Sequence, residues 1–187
     1  MDQRETIARA KRGDHDALAM LVNMAIARLD AAARLILRDP ELARDAVQEA
    51  LIRAWRDLPG LRDPERFDAW LYRLTVNSCL DLARHRRRRP IEVEITPIDS
   101  PITPDASGVL ADRELLDAAL RRLDPGHRAV IALYYLLGLP LSDVAASLGI
   151  PVGTVKSRLH YALGAMRTTV ETEPDAPGTQ IAEGWRA

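Results

Sequence analysis

A proline-rich segment at residues 90–108 constrains the fold more than any other feature, because it divides the chain into two parts that cannot share a helix. It reads PIEVEITPIDSPITPDASG and shows no helical period. Proline lacks the amide hydrogen that a helix interior needs, so this composition is typical of a linker. Fully extended, the linker would span roughly 60 Å at about 3.3 Å per residue. We therefore expect helical units at 1–89 and 109–170, followed by a disordered tail at 171–187.

Both flanking parts carry the pattern of amphipathic helices. Apolar residues recur at helical spacing, and no stretch alternates with period two for long enough to indicate a sheet;. Aromatic residues make up only 4% of the chain, and Ala, Leu and Arg are abundant, which favours helix;. The sequence therefore predicts an all-α fold of two small helical domains joined by a flexible linker. The predicted helices cover about 2–12, 14–37, 39–58, 64–88, 109–123, 125–137, 142–148 and 151–170.

Charge is distributed unevenly, although the net charge of the whole chain is only −1. Residues 1–89 hold 18 Lys/Arg and 14 Asp/Glu, and residues 109–170 hold seven basic and five acidic residues. The linker has four acidic residues and no basic one, and the tail is also acidic. Because attraction to phosphate depends on local patches, two mildly basic units are compatible with nucleic-acid binding.

The sequence contains no pattern that indicates an enzyme or a membrane protein. Its single cysteine, Cys79, cannot form a disulfide framework or a cysteine-based metal site, and we expect it to be buried;. No run of about 20 apolar residues is present, and the first residues lack the apolar core of a signal peptide. The four histidines are scattered, and no Ser/His/Asp set or phosphate loop occurs. We therefore expect a cytoplasmic protein that works by binding, with no catalytic residue, metal or cofactor.

The strongest local motif is LSDVAASLGIPVGTVKSRLHYALGAMR at residues 141–167. Ser142 is expected to cap a short helix, Gly149 to adopt a left-handed turn, and Pro151 to open a second helix. This pattern predicts a helix-turn-helix, with a solvated helical hairpin as the alternative. Its expected inward side chains are Val144, Ala145, Leu148, Val152, Val155, Leu159, Ala162 and Met166. The outward side chains, which suit contacts to base edges and phosphates, are Thr154, Lys156, Ser157, Arg158, His160 and Tyr161.

The helix predicted over 39–58 has a charged outer face that is interrupted by one apolar residue. Ile52 lies one turn from both Gln48 and Arg56. An apolar side chain surrounded by polar groups suits a docking point for another helix, and a solvated face with one stray isoleucine is the alternative. The expected buried stripe of this helix is Val47, Ala50, Leu51, Ala54, Trp55 and Leu58.

The segment RFDAWLYRLTVNSCLDLARHRRRR at residues 66–89 combines aromatic residues, an amide and a basic end. Phe67, Trp70 and Tyr72 are more often core residues than base-stacking residues. Asn77 suits either an exposed helix position or a hydrogen bond to an unpaired base. The arginine run at 84–89 suits phosphate contacts, with a solvated basic terminus as the alternative.

Three segments in this order, DAVQEALIRAWR, FDAWLYRLTVNSCLDLARHRRRR and LGIPVGTVKSRLHYALGAMR, resemble the extracytoplasmic-function sigma factors. These are the smallest members of the sigma-70 family of bacterial RNA polymerase. The resemblance covers roughly residues 5–170. It implies a sigma-2-like domain at 1–89, a sigma-4-like helix-turn-helix domain at 109–170, and promoter-specific transcription initiation as the function.

The resemblance also implies roles for individual residues. The helix over 39–58 would bind the clamp helices of the polymerase β′ subunit through Asp45, Gln48, Glu49, Ile52, Arg53 and Arg56. The −10 element would be captured and opened by Arg62, Arg66, Trp70, Asn77, Arg84, Arg86, Arg87 and Arg88. The outward side chains of the second helix of the helix-turn-helix would read the −35 element. Core polymerase, including its β flap, promoter DNA and an anti-sigma factor are the implied partners.

Two other functions remain compatible with the residues themselves. A dimeric helix-turn-helix repressor or activator, with residues 1–89 as a sensor domain, should bind a palindrome without polymerase. A helical interaction protein that binds no DNA should keep its activity when Lys156 and Arg158 are both changed to Glu.

Overall fold

The computed structural model describes residues 2–88 and 107–172 of the chain. In these two ranges the chain forms α-helices, 3₁₀ and π turns, and no strand, which confirms the all-α prediction. None of the described helices is long and apolar enough to cross a membrane. The helices are α1 (Gln3–Lys11), α2 (His15–Leu37), α3 (Pro40–Asp57), α4 (Phe67–Arg88), α5 (Ser107–Arg121), α6 (Pro125–Ile131), α7 (Leu141–Leu148) and α8 (Val152–Thr172).

The predicted linker and tail lie largely outside the described residues. Helix α5 begins at Ser107 and helix α8 continues to Thr172, so each helix extends slightly into a segment that was predicted to be irregular. The boundaries of the two proposed domains stay a prediction.

Aspartate side chains determine where α2 and α3 begin. The Asp14 carboxylate accepts a hydrogen bond from the Ala17 amide at 3.0 Å, and this bond is the main reason that the pKa of Asp14 lies below its ordinary value. The Asp39 carboxylate accepts from the amides of Glu41 and Leu42, both at 3.1 Å. Each cap satisfies amide hydrogens that have no partner within the helix and places negative charge at its positive end. Both helix starts were predicted from the sequence.

Helix α7 begins differently from the prediction. Its N-cap residue is Pro140, so the prediction that Ser142 caps this helix is wrong. The Pro140 carbonyl accepts hydrogen bonds from the amides of Asp143 and Val144 at 2.9 and 3.0 Å, which places Ser142 inside the first turn. Gly149 does end the helix in the predicted left-handed conformation, with φ of 64°;.

The helix predicted over 125–137 is interrupted by a π turn at Ala132–Leu136. The Leu137 amide donates to the Ala132 carbonyl at 2.9 Å, a bond that spans five residues;. Gly138 follows with φ of 70°, which a residue without a side chain adopts at little cost;. The wider turn and the glycine together redirect the chain from α6 into α7.

One apolar core joins the helices on both sides of the linker. Ile36 near the end of α2 belongs to the same buried cluster as Ala129, Val130 and Leu133. Helix α6 packs against α2, and α7 packs against α4. Cys79 of α4 is fully buried in this core, as predicted, and burial raises the pKa of its thiol to about 12. A smaller cluster joins α5, α6 and α8 through Leu120, Leu123, Ile131 and Ala162.

Arg128 is a buried cation at the junction between α2, α5 and α6. Its Nε donates to the Ile36 carbonyl at 2.7 Å, and its Nη1 donates to the carbonyls of Leu123 at 2.5 Å and Leu120 at 3.3 Å. Carbonyls near the ends of helices lack partners within the helix and carry partial negative charge. Burial lowers the pKa of Arg128 to about 10, so the side chain is still charged at neutral pH.

Two ion pairs join residues on the two sides of the linker. Arg38 ends α2 in the left-handed conformation, and its Nη1 lies 2.6 Å from Oδ1 of Asp117 on α5. The hydrogen bond from Arg38 is the largest influence on Asp117 and holds the pKa of that carboxyl below its ordinary value. Arg66 Nη2 lies 3.3 Å from Oδ1 of Asp143 on α7.

Replacing Arg128 with leucine should destabilise the protein, because the substitution leaves the carbonyls of Ile36 and Leu123 buried without this donor. A hydrogen bond from a charged donor contributes about 1.5–3 kcal/mol, so we expect the free energy of unfolding to fall by about 3 kcal/mol. Urea denaturation followed by circular dichroism measures this change. Arg122→Leu, at an exposed position, is the matched control. Equal losses in the two variants would contradict the structural role of Arg128.

Candidate nucleic-acid and protein interfaces

An open apolar groove lies between α2 and α3 and has a volume of about 590 Å³. Ile52, which is 56% exposed, forms part of its wall. An apolar floor with charged or amide groups at its margin is the usual composition of a protein-binding surface. The lining residues are Ile26, Asp30, Arg44, Val47, Gln48, Leu51, Ile52 and Trp55.

The structure places two of the six predicted polymerase-binding residues, Gln48 and Ile52, in this groove. Glu49 and Arg53 form an ion pair of 2.8 Å across one turn of α3, and Arg53 also lies 3.7 Å from Asp81 on α4. The other predicted residues lie elsewhere on the surface of α3 and do not line the groove; they are Asp45, Glu49, Arg53 and Arg56.

Sequence reasoning missed the α2 side of the groove and assigned Trp55 to the buried stripe of α3. Trp55 is 37% exposed, and its ring stacks on His15 of α2 with centroids 4.4 Å apart. The tryptophan therefore lies at the edge of the core, with its ring against the start of α2. Ile26 lies between the buried residues Ala25 and Leu29, so the periodicity of α2 was the available signal for a groove edge.

The predicted −10 residues before and within α4 are spread over its surface. Arg62 and Arg66 are exposed, and Arg66 donates to Asp143 of α7. Trp70 is half-buried, with its ring centroid 5.9 Å from that of Phe67. Phe67 is buried, as predicted for a core residue. Asn77 is also half-buried, so only part of its side chain reaches solvent.

The basic end of α4 is exposed, and two of its four predicted arginines form ion pairs. Arg84 pairs with Asp81 in the same helix. Arg86 Nη1 lies 2.8 Å from Oδ2 of Asp39, the carboxylate that caps α3. Such exposed pairs contribute up to about 1 kcal/mol each, so phosphate groups could replace the carboxylates at little cost. The remaining two, also exposed, are Arg87 and Arg88.

Helices α7 and α8 form the predicted helix-turn-helix, and Val155 and Leu159 hold α8 against the core. Val152, which was expected on the inward face, is 40% exposed in the first turn, because α8 approaches the core only one turn later. Four of the predicted −35 residues are exposed: Lys156, Ser157, His160 and Tyr161, the last of which is 60% exposed. The other two, Thr154 and Arg158, are half-buried and form with Tyr161 a stripe at positions 154, 158 and 161.

The first turn of α6 flanks that stripe, which sequence reasoning did not anticipate. The rings of His127 and Tyr161 have centroids 4.7 Å apart and an interplanar angle of 39°. Asp124 caps α6 by accepting from the amides of Gly126 and His127 at 2.7 and 3.1 Å. Partial burial raises the pKa of Asp124, but the hydrogen bonds from His127 and Gly126 outweigh it and leave this pKa below its ordinary value. An aspartate directly before a proline was the available signal for this cap.

Two family models match the chain. Sigma-70 region 2 matches residues 21–89, and Sigma-70 region 4 matches residues 119–168. The first match contains the groove and the basic end of α4, and the second contains the helix-turn-helix.

Curated relatives include the ECF RNA polymerase sigma factor SigL of Mycobacterium tuberculosis, which is 40% identical over 136 residues that cover 71% of this chain and 77% of SigL. The ECF RNA polymerase sigma factor SigW of Bacillus subtilis is 29% identical over 178 residues, covering 88% of this chain and 94% of SigW.

Solved structures with a similar fold include CnrH in complex with the cytosolic domain of CnrY, with a TM-score of 0.68 and 28% identity over 92% of this chain and 99% of that chain. The sigma factor RpoE of Bartonella quintana, in complex with the anti-sigma factor NepR, has a TM-score of 0.64 over 82% of this chain and 96% of that chain. At 24% identity, this second likeness concerns the fold alone.

The presence of both sigma-70 regions argues against the dimeric repressor that was the alternative interpretation. The alignment with SigL covers 71% of this chain. The chain therefore belongs to the extracytoplasmic-function sigma factors of the sigma-70 family and is an RNA polymerase sigma factor.

Proposed function

We propose that this sigma factor binds core polymerase through the α2–α3 groove and binds promoter DNA through α4 and α8. The observation that carries the proposal is the half-exposed Ile52 in an apolar groove, within the part of the chain that matches region 2. In this proposal residues 1–89 and 109–170 act as two domains, and the segment at 90–108 lets them reach separate sites.

The groove suits a helical partner such as the β′ clamp helices. Ile26, Leu51 and Ile52 offer apolar contacts, while Asp30 and Arg44 offer one charge of each sign at the margin. Covering an isoleucine side chain that is otherwise exposed contributes about 1.5–3 kcal/mol at most. The charged residues on the rest of α3 would then set the orientation of the partner more than its affinity.

Helix α8 suits the major groove at the −35 element. Lys156 and Arg158 can donate to guanine edges or phosphates, and Ser157 can donate or accept. The Ser157 hydroxyl donates to the Thr154 carbonyl at 3.0 Å, so it must leave this bond or share it when it contacts DNA. The exposed −35 candidates lie in the first half of α8, the part that a recognition helix presents to bases;.

The surface before and along α4 suits the −10 element. Its exposed arginines would contact phosphates, and Trp70 and Asn77 are the candidates for contact with an unpaired base;. The Arg66–Asp143 pair is 66% and 26% exposed at its two side chains. A phosphate can therefore compete with Asp143 for this guanidinium.

The protein would act by binding rather than by catalysis, and it would do so in the cytoplasm, where the polymerase is. Residues 109–170 would also contact the β flap. An anti-sigma factor is a further proposed partner, supported by the similarity to CnrH, whose structure contains the cytosolic domain of CnrY.

Transcription from a genomic DNA library by bacterial core polymerase tests the whole proposal. With the full chain added, we expect transcripts that start downstream of one shared two-part sequence, because both surfaces must engage DNA at a fixed spacing. Sequencing of transcript starts measures this. Starts that are identical with and without the chain would refute the proposal, and selection of a palindrome without polymerase would favour a repressor.

Ile52→Asp should weaken the binding of core polymerase by about 30-fold, because a central apolar contact of an interface typically contributes about 2 kcal/mol. The fold should be retained, since Ile52 is already half-exposed. Fluorescence anisotropy of labelled protein with core polymerase measures the affinity. Met24→Asp is the control, because Met24 is 72% exposed and does not line the groove. Equal affinities of Ile52→Asp and wild type would remove the groove from the proposal.

Lys156→Glu should reduce promoter binding by the holoenzyme about tenfold or more and leave polymerase binding unchanged, because the substitution reverses charge next to DNA. Filter binding over a range of salt concentrations measures both the affinity and its salt dependence. Arg167→Glu makes the same charge change at an exposed position near the other end of α8. If both variants lose affinity equally, the effect is general electrostatics and not recognition by the first half of α8.

A further inference from the structure

We propose that His127, held by Asp124, is a positioning residue for Tyr161 and thereby sets the base preference at the position that Tyr161 reads. The inference rests on the proposed role of α8 at the −35 element. It concerns α6, a helix outside the helix-turn-helix, so it assigns part of the sequence preference to a residue that lies off the recognition helix.

The His127 ring is held by its own helix. Asp124 Oδ1 accepts the amide hydrogens of Gly126 and His127, and Asp124 Oδ2 lies 2.6 Å from Nδ1 of the His127 ring. One carboxylate therefore fixes both the backbone of the first turn and the orientation of the ring. The His127 side chain is only 20% exposed, although it lies at the surface end of α6.

Tyr161 is 60% exposed, and its ring contacts the His127 ring at 4.7 Å between centroids. Aromatic rings at this distance and tilt attract each other, and the contact limits the rotamers that the tyrosine can adopt. A tyrosine that is already held in one rotamer loses less entropy when its hydroxyl bonds to DNA.

The same turn of α6 also borders Arg158. A Cβ built on Gly126 would lie 3.6 Å from Nη1 of Arg158, so the guanidinium passes close to this glycine. Arg158 and Tyr161 are three residues apart and lie on one face of α8. Lys156 and His160 are exposed and lie at different angles around α8 from Arg158 and Tyr161;. His127 should therefore affect the bases read by Tyr161 and leave those read near Lys156 unchanged.

The test is a selection with holoenzyme assembled from the full chain and bacterial core polymerase, on promoter duplexes whose −35 segment is randomised. Sequencing of the bound duplexes yields a base preference at each position. The variants are His127→Ala, Tyr161→Ala, the double variant, and His127→Phe, which keeps a ring against Tyr161. Arg167→Ala is the control, because Arg167 is an exposed residue of the same helix that is not among the proposed −35 contacts.

We expect Tyr161→Ala and His127→Ala to reduce the preference at the same position by about fivefold. The double variant should show the same loss of base preference as Tyr161→Ala alone, because His127 acts only through the tyrosine. His127→Phe should keep most of the preference, and Arg167→Ala should leave the preference at that position unchanged. Thermal melting of each variant separates this effect from loss of the fold.

Two results would overturn the inference while the proposed function stands. One is that the His127→Ala variant keeps the wild-type base preference, even if the melting temperature of the variant is lower. The other is a loss in the double variant that equals the two single losses combined, since His127 would then act independently of Tyr161. If wild-type holoenzyme enriches no −35 sequence at all, the proposed function itself fails, and the inference fails with it.

Discussion

The seam between α2 and α6 is the contact on which the rest of the structure depends. Its centre is Arg128, a charge whose burial is favourable only because three carbonyls at helix ends accept its hydrogens;. The Ile36 carbonyl belongs to α2, and the carbonyls of Leu120 and Leu123 belong to α5 and the residues directly after it. One side chain therefore connects α2 and α5 to α6. The apolar residues of α6 then complete one continuous core.

The polar contacts of the molecule differ in strength according to where they lie. Arg128 is 7% exposed, so water does not compete for its hydrogen bonds;. The pairs Arg66–Asp143 and Arg86–Asp39 lie at the surface, where water and salt weaken them;. The arginines proposed to contact DNA therefore have partners that a phosphate can replace, whereas the interaction that holds α6 cannot be exchanged in this way.

Local chemistry could be predicted from the sequence, and long-range packing could not. The caps at Asp14 and Asp39 and the turn at Gly149 follow from residues within a few positions of each other, so they were predicted correctly. Trp55 was misplaced because its burial depends on how much of it α2 covers. The position of Ile26 left a signal in the periodicity of α2, but the groove itself exists only where α2 meets α3, and no local pattern encodes that meeting. The exposed Ile52 was predicted, since a break in periodicity is itself a local signal.

The position of α8 follows from the same seam. Val155 and Leu159 anchor α8 in the core, and α8 packs against both α5 and α6. Arg128, one residue after His127, donates to the carbonyls of Leu120 and Leu123, so the turn of α6 that contacts Tyr161 is held against the end of α5. A recognition surface gains selectivity when its side chains are ordered before they meet the ligand. The bonds from Arg128 to Leu120 and Leu123 and the contact of His127 with Tyr161 lie within residues 109–170, so this ordering of the tyrosine does not depend on the contact with residues 1–89.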